Sequence, residues 1–299
     1  MVKKQFVSGF VAIAGRPNVG KSSLLNYFVG HKISIISRRP QTTRNRLLGI
    51  CTSDDSQIVF VDTPGIHASE GKVLNRVINK TATGSLEGVD LILMMITASG
   101  WTKDDEYVYQ KVKATGVDAM LLLNKTDVLK NKDQILPTIS EIAETHDFRE
   151  IIPISVKSRY NLDSLQKTIE DALPEGPAGF PEDQITDRSQ RFLAGELVRE
   201  KLFWHLGEEL PYISAVEISR FEMDKNDVAH IDATIWVEKP GQKAIVIGKG
   251  GLSLKNIGTK ARLEMERLFQ CRVHLECWVK VRKGWTNDAA IMRSLGYDE

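Results

Sequence analysis

The sequence has few cysteines, no long apolar run and almost no net charge, and each shortage closes off a class of protein. The three cysteines are Cys51, Cys271 and Cys277. An odd count at this spacing fits neither a disulfide framework nor a metal motif, so a reducing compartment is expected. No stretch approaches the ~18 uncharged apolar residues of a membrane span; the run from Asp90 to Ile96 is far too short. Met1-Val-Lys-Lys4 leads into a strand pattern and not into the apolar core of a signal peptide. The expected location is therefore the cytoplasm. Repeats and low-complexity tracts are absent. A net charge of +1 says nothing about partners. It hides an asymmetry, however: Gly241 to Lys283 carries ten Lys or Arg against three Glu, a net of +7, leaving −6 elsewhere. Such a basic segment is either a solvated face or an electrostatic footprint for nucleic acid or an anionic membrane surface.

What is present reads as two domains. With 299 residues the chain exceeds the ~250 at which single cores stop growing. Short apolar runs at Phe10–Ala14, Gln57–Val61, Leu91–Ile96, Met120–Leu123 and Ile151–Ile154 are too uniformly apolar for one-sided strands and suit a parallel sheet covered on both faces. Helical periodicity separates them at Lys21–Val29, Val73–Ser85, Asp104–Ala114, Asp133–Thr145 and Leu162–Leu173. This alternation predicts a doubly wound, mostly parallel α/β domain over residues 1–175. Pro174 to Pro181 holds three prolines and two glycines and opens a linker ending near 188. Beyond it, a helix at Ser189–His205, strands at Ser214–Arg220 and His230–Val237, helical periodicity near Ser253 and through Thr259–Phe269, and a strand at Arg272–Lys280 give the order αββααβ of an α+β domain, 189–299.

Gly15-Arg16-Pro17-Asn18-Val19-Gly20-Lys21-Ser22 fits the phosphate-binding pattern G-x-x-x-x-G-K-[ST], with a strand at Val11–Ala14 before it and helical residues Ser23–Val29 after it. Glycines let backbone N–H groups wrap a phosphate, and the helix turns its positive end toward the same charge. Lys21 supplies a cation to the β- and γ-phosphates and Ser22 a hydroxyl to Mg²⁺. Asn124-Lys125-Thr126-Asp127 follows a strand, at the edge where open α/β sheets bind ligands. Asp127 can accept the paired N–H donors of guanine, which adenine lacks, so GTP or GDP is the expected nucleotide. Asp62-Thr63-Pro64-Gly65 places a carboxylate to hold Mg²⁺ through water and a backbone N–H for the γ-phosphate. Thr43, favoured over Thr42 in the segment Pro40–Arg44, would complete the metal shell only with a triphosphate bound. Ser155-Val156-Lys157 ends the last strand and can back the base, though an ordinary strand-end serine reads the same way.

Ile66 stands where Ras-like GTPases place a water-orienting glutamine. It cannot hydrogen-bond a water, so intrinsic hydrolysis is expected to be slow unless something else positions the nucleophile. One such device is K⁺ bound by Asn18 under a segment spanning Ile36 to Gln41.

In the second domain, Gly248-Lys249-Gly250-Gly251 forms a G-x-x-G loop after an apolar, strand-like run at Ala244–Ile247. KH modules clamp single-stranded RNA with such a loop. Lys249, Lys255, Lys260 and Arg262 extend the positive field. Trp278 and Trp285 can stack on bases or, as is commoner for tryptophan, fill the core.

The motifs Gly15–Ser22, Gln41–Arg44, Asp62–Gly65 and Asn124–Asp127, with Pro181–Asp187 and Ile247–Gly251, resemble the Era family of bacterial ribosome-assembly GTPases over nearly the whole chain. Val156 departs from the alanine usual there. The resemblance implies a G domain of the TrmE-Era-EngA type followed by a type II KH domain. It implies binding to the 3′ end of 16S rRNA and action in 30S subunit assembly, with a KH surface competent for RNA in the GTP state. It further implies peripheral association with the inner membrane, and a monomer is expected. Two rivals use the same residues: a passive RNA chaperone with vestigial nucleotide binding, which intact Lys21, Ser22, Asp62 and Thr43 oppose, and a tRNA-modification GTPase, which the G-x-x-G loop opposes.

Overall fold

A computed structural model describes residues 5–37, 39, 42–66, 81–129, 131–207 and 210–285. They fall into two compact units: residues 5–34, 43–66 and 81–187 form the first, and residues 35–42 with 188–285 the second.

The first unit is built on a six-stranded sheet: β1 (Val7–Ala14), β2 (Leu47–Thr52), β3 (Ser56–Asp62), β4 (Leu91–Thr97), β5 (Ala119–Asn124) and β6 (Glu150–Pro153), in the order β2-β3-β1-β4-β5-β6. All neighbours are parallel except β2, which pairs antiparallel with β3 from Leu47 opposite Asp62 to Thr52 opposite Gln57. The sheet carries α1 (Lys21–Val29), α2 (Lys103–Lys113), α3 (Ile135–Thr145) and α4 (Leu162–Ala172). Its central strands are buried almost end to end, as the uniformly apolar runs predict. The parallel strands β3, β1, β4 and β5 end together, which brings Asp62, Gly15, Thr97 and Asn124 to one edge.

Two sequence expectations need amendment here. Strand β2 is absent from the list of apolar runs because Gly49 interrupts it. That glycine is a packing requirement: a Cβ there would lie 2.4 Å from Leu25 Cδ1 of α1. Of the expected helix at Val73–Ser85, residues 81–84 are helical and 73–80 lie outside the described residues.

The proline-rich linker is pinned to the first unit. Ser8 N–H donates to the Pro174 carbonyl and Gly176 N–H to that of Phe6, at 3.1 and 3.0 Å. The fully buried Gln57 accepts from Gly179 and Phe180 N–H at 2.8 and 2.9 Å and donates back to the Phe180 carbonyl. Asp187 accepts from Leu48 N–H at 2.9 Å.

The second unit has the order α5 (Gln190–His205), β7 (Ala215–Met223), β8 (Val228–Val237), α6 (Pro240–Ile247), α7 (Leu252–Phe269), β9 (Arg272–Val281). Ser189 caps α5 by accepting from Phe192 N–H. The sheet order is β7-β8-β9, with β8 antiparallel to β7 and parallel to β9. Alternate residues of β8 (Ala229, Ile231, Ala233, Ile235, Val237) pack with Leu197, Val198, Ile257 and Ala261 of the helices, so one sheet face is core and the other is open. The run Ala244–Ile247, read as strand-like, is the end of helix α6, with Pro240 at its start where a missing N–H costs nothing. The periodicity near Ser253 and Thr259 is one continuous helix, α7.

Candidate functional site

The loop between β1 and α1 is set by its glycines. Gly20 has φ 115°, and a Cβ on it would sit 2.3 Å from Asn124 Nδ2. Asn124 uses that amide to donate to the Val19 carbonyl at 2.7 Å. Its Oδ1 accepts from Val156 N–H at 3.1 Å, and Lys125 Nζ reaches the Asn18 carbonyl at 2.7 Å. The base-side motifs therefore lock onto the phosphate loop directly. Asn18 and Lys125 both take left-handed backbone conformations, φ 64° and 67°. Arg16 is held from the other side: Nε donates to Asp105 Oδ1 at 3.1 Å and a terminal nitrogen to Thr97 Oγ1 at 3.0 Å. Pro17 meets Gly65, whose Cβ would lie 2.8 Å from Pro17 Cγ. Thr63 Oγ1 donates to the Ile13 carbonyl at 2.9 Å, fixing the turn through Pro64. Ile66 is 2% exposed and packs in the sheet core, its N–H donating to the Gly15 carbonyl.

Lys21 is buried and curls into the loop, donating to the carbonyls of Gly15 and Arg16 at 2.9 and 3.0 Å. Burial holds its ammonium down to about 8, against the pull of Asp62 and with Arg16 adding to the lowering. Asp62 is fully buried, and burial raises its carboxyl above the usual range despite bonds from Ser34 and Ser22 and the charge of Lys21. Ser22 Oγ lies 3.0 Å from both Asp62 Oδ2 and Thr43 Oγ1. Of the two threonines, Thr43 is the one at Ser22; Thr42 turns to Ser37 and the Arg39 carbonyl. Pro40 and Gln41 lie outside the described residues.

The three candidate Mg²⁺ ligands thus converge, and their chemistry fits the ion. All are oxygens, as a hard cation requires, and the second oxygen of Asp62 is buried without a hydrogen-bond partner. One carboxylate and two hydroxyls leave room for phosphate oxygens and water, the usual Mg²⁺ arrangement.

At the base end, Asp127 Oδ1 accepts from the fully buried Ser155 Oγ at 2.6 Å, and Ser155 Oγ accepts from Ser158 N–H at 3.2 Å. Ser155 therefore orients the carboxylate, while Lys157 Nζ stands 4.0 Å from its other oxygen.

Two residues escaped the sequence reading. Ser34 donates to Asp62 Oδ2 at 2.7 Å and is itself fixed by Asn26. Nothing in its immediate sequence marks it. Asp105 carries a local signal, the capping box it forms with Thr102, and it is the buried partner of Arg16.

In the second unit, the G-x-x-G loop joins α6 to α7 and opens on a groove of about 360 Å³ between α7 and the edge strand β9. Gly251, Lys255, Gly258 and Arg262 line it at helical spacing, with Leu275 and Cys277 opposite. Burial pushes the Cys277 thiol up to about 11, so it is a small apolar wall and not a nucleophile. Lys260 is not in the groove. It faces His205 of α5, whose pKa burial lowers first and the charges of Lys260 and Lys201 lower further. The tryptophans divide: Trp285 is fully buried, whereas Trp278 is 56% exposed and does not belong to the core.

Ile36 and Thr42 bond α5 within this unit. Ile36 N–H donates to Glu200 Oε1 at 2.9 Å, its carbonyl accepts from the Trp204 indole at 3.0 Å, and Arg199 donates to the Thr42 carbonyl at 2.6 Å. Lys201 bridges Glu200 and Glu264, tying α5 to α7.

A family model described as 50S ribosome-binding GTPase matches residues 10–125, and a KH-domain model matches residues 209–286. The chain is 53% identical over 290 residues to GTPase Era of Stenotrophomonas maltophilia strain K279a, covering 97% of each. It is also 53% identical over 291 residues to that of Xanthomonas axonopodis pv. citri, again with 97% coverage of both. The chain belongs to the Era family of GTPases. A crystal structure of Era in complex with MgGDPNP and nucleotides 1506–1542 of 16S ribosomal RNA superposes with a TM-score of 0.94, at 42% identity over 98% of this chain and all of the other. Aquifex aeolicus Era bound to GDP and AlF₄⁻ gives the same score and identity. This Era-family chain is a GTPase with a P-loop domain on a mostly parallel sheet and a C-terminal KH domain. Among the described residues no helix is long and apolar enough to cross a membrane.

Proposed function

We propose that the chain binds GTP with Mg²⁺ at the edge of the first sheet, hydrolyses it, and uses the bound nucleotide to control how the KH groove holds the 3′ end of 16S rRNA during 30S subunit assembly. The observation that carries the nucleotide half is the convergence of Ser22, Thr43 and Asp62 beside a buried Lys21, with one oxygen of Asp62 left unpartnered. Gly15 to Ser23 would surround the phosphates and Gly65 would offer its N–H to the γ-phosphate. Asp127, oriented by Ser155, would read guanine, with Asn124, Lys125, Val156 and Lys157 framing the base. Bound Mg²⁺ would neutralise charge between the β- and γ-phosphates.

The RNA half rests on the groove. Gly248, Gly250 and Gly251 let a backbone approach, and Lys249, Lys255 and Arg262 supply charge. The related structure with 16S rRNA nucleotides supports the choice of RNA. The control rests on residues 35–42. The chain enters this segment from Ser34, which bonds Asp62, and leaves it to Thr43, which bonds Ser22, while Glu200 and Arg199 of α5 hold Ile36 and Thr42.

With Ile66 in the core, water positioning falls to another device, and K⁺ at Asn18 is our reading. Hydrolysis should be several-fold faster in K⁺ than in Na⁺; equal rates would remove the cation. Crosslinking and mapping of bound RNA with a GTP analogue, with GDP, and with Lys249→Glu and Lys255→Glu tests the whole. A 16S rRNA 3′-end site that weakens in GDP and with both substitutions is expected. Crosslinks elsewhere, or insensitive to both substitutions, would contradict it.

A further inference from the structure

The open face of the KH sheet carries an aromatic and basic cluster that neither the groove nor the GTP site uses. Alternation along β9 sends Leu275 and Cys277 toward the groove and puts Trp278 and Lys280 on the opposite face. Trp278 is 56% exposed, beside the buried Thr234 of β8. Two residues further along, on the same face, Trp236 stands opposite Lys280. Its ring lies under two cations, with Lys280 Nζ 5.7 Å and Arg282 Cζ 5.9 Å from the centroid. Its indole N–H donates to Glu217 at 2.8 Å, which fixes the ring.

An indole is a large, flat apolar surface on which a base can stack. Cations beside flat aromatic rings suit the stacked bases and phosphates of a single strand. The cations on this face are Lys280 and Arg282 beside Trp236, while Asp232 and Glu276 pair two residues before Trp278, so the positive charge lies on the Lys280 side of the ring. The position agrees too. Trp278 follows Cys277 of the groove wall directly, so the two differ by one Cα step of about 3.8 Å along a strand at the sheet edge.

We propose that Trp278, with Trp236, Lys280 and Arg282 beside it, is a second RNA-binding site: a stacking platform for a nucleotide adjoining the stretch held in the groove. The proposal rests on the RNA reading of that groove. Trp236 and its two cations stiffen the platform and hold phosphate nearby, and Trp278 supplies the free ring. RNA long enough to leave the groove past β9 would gain this contact; RNA that only fills the groove would not.

The test uses the full chain and two RNAs from the 3′ end of 16S rRNA, one of about four nucleotides, matching a KH clamp, and one roughly three times longer. Affinity is read by anisotropy and stacking by quenching of tryptophan fluorescence. Trp278→Ala should weaken the longer RNA by roughly 5- to 100-fold, leave the short one unchanged, and remove part of the quenching that only the longer RNA causes. Trp278→Phe should keep most of the affinity. If Trp278→Ala binds the longer RNA like the parent while Lys249→Glu and Arg262→Glu weaken both RNAs, the platform is wrong and the groove stands. Equal loss on both RNAs also overturns the platform, because Trp278 would then act on the groove. If Lys249→Glu and Arg262→Glu change neither RNA, the groove reading fails and takes the platform with it.

Discussion

At the scale of single residues, the site is a set of groups held away from their ordinary protonation. Lys21 in free solution titrates near 10.5, and in the folded, nucleotide-free chain it is held down to about 8. A lysine with a depressed folded pKa costs stability at and below that pH, and the cost fades as pH rises toward the ordinary value. Phosphate relieves the cost by pairing with the ammonium. GTP affinity should therefore hold steady from pH 7 to about 8 and be lower by about tenfold near pH 9, where the empty chain has already lost the proton. Calorimetric titration across that range checks this, and Lys21→Ala should flatten the slope. Asp62 behaves oppositely: its raised carboxyl takes up a proton above the usual acidic range, so Mg²⁺ dependence should disappear on acidification sooner than for an exposed aspartate. Ser34 props this carboxylate. Ser34→Ala should weaken Mg²⁺-dependent GTP binding by about 5- to 10-fold, with binding in chelator almost unchanged.

At the scale of elements, several buried polar groups link one segment to another. Arg199, Glu200 and Lys201 are consecutive in α5 and almost fully buried. Buried charges of this kind are costly when one partner is removed. Glu200→Ala would leave the Ile36 N–H without that acceptor and Lys201 with Glu264 alone. A loss of roughly 3 kcal/mol is expected, read as a lower urea midpoint of the full chain; Glu200→Gln, which can still accept from Ile36, should lose less. Asp105 does a similar task in α2, capping the helix and holding Arg16. Asp105→Ala should lower thermal stability by about 2 kcal/mol and weaken GTP binding, whereas Asp105→Asn should keep part of the cap.

At the scale of the whole molecule, the elements that were legible are those whose signal is local. The buried strands announce themselves by unbroken apolar runs, and the phosphate loop by glycines that no other residue can replace next to Asn124. What escaped depends on partners distant in sequence. Strand β2 was hidden by Gly49, which is there for α1. Ser34 matters only because β3 brings Asp62 to it. Helix α6 reads as a strand because Ala244 to Ile247 is apolar and short, and its start, set by Pro240, was the better signal. Trp278 and Trp285 look alike in sequence, but the register of β9 turns Trp278 out to solvent, whereas Trp285 lies beyond that strand, is buried and donates to the Ile213 carbonyl at 3.0 Å.

The proposed choice of GTP rests on Asp127, just past the end of β5 and held by Ser155, reading guanine. The direct measurement is nucleotide affinity of the parent chain and of Asp127→Asn for GTP, ATP and xanthosine triphosphate. An amide there can donate to the oxygen that xanthine carries in place of guanine's amine. The parent should bind GTP and discriminate strongly against ATP, and Asp127→Asn should lose GTP by roughly 100-fold or more while gaining the xanthine nucleotide. A parent chain that takes up ATP as well as GTP, or an Asp127→Asn chain with unchanged GTP affinity, would contradict it.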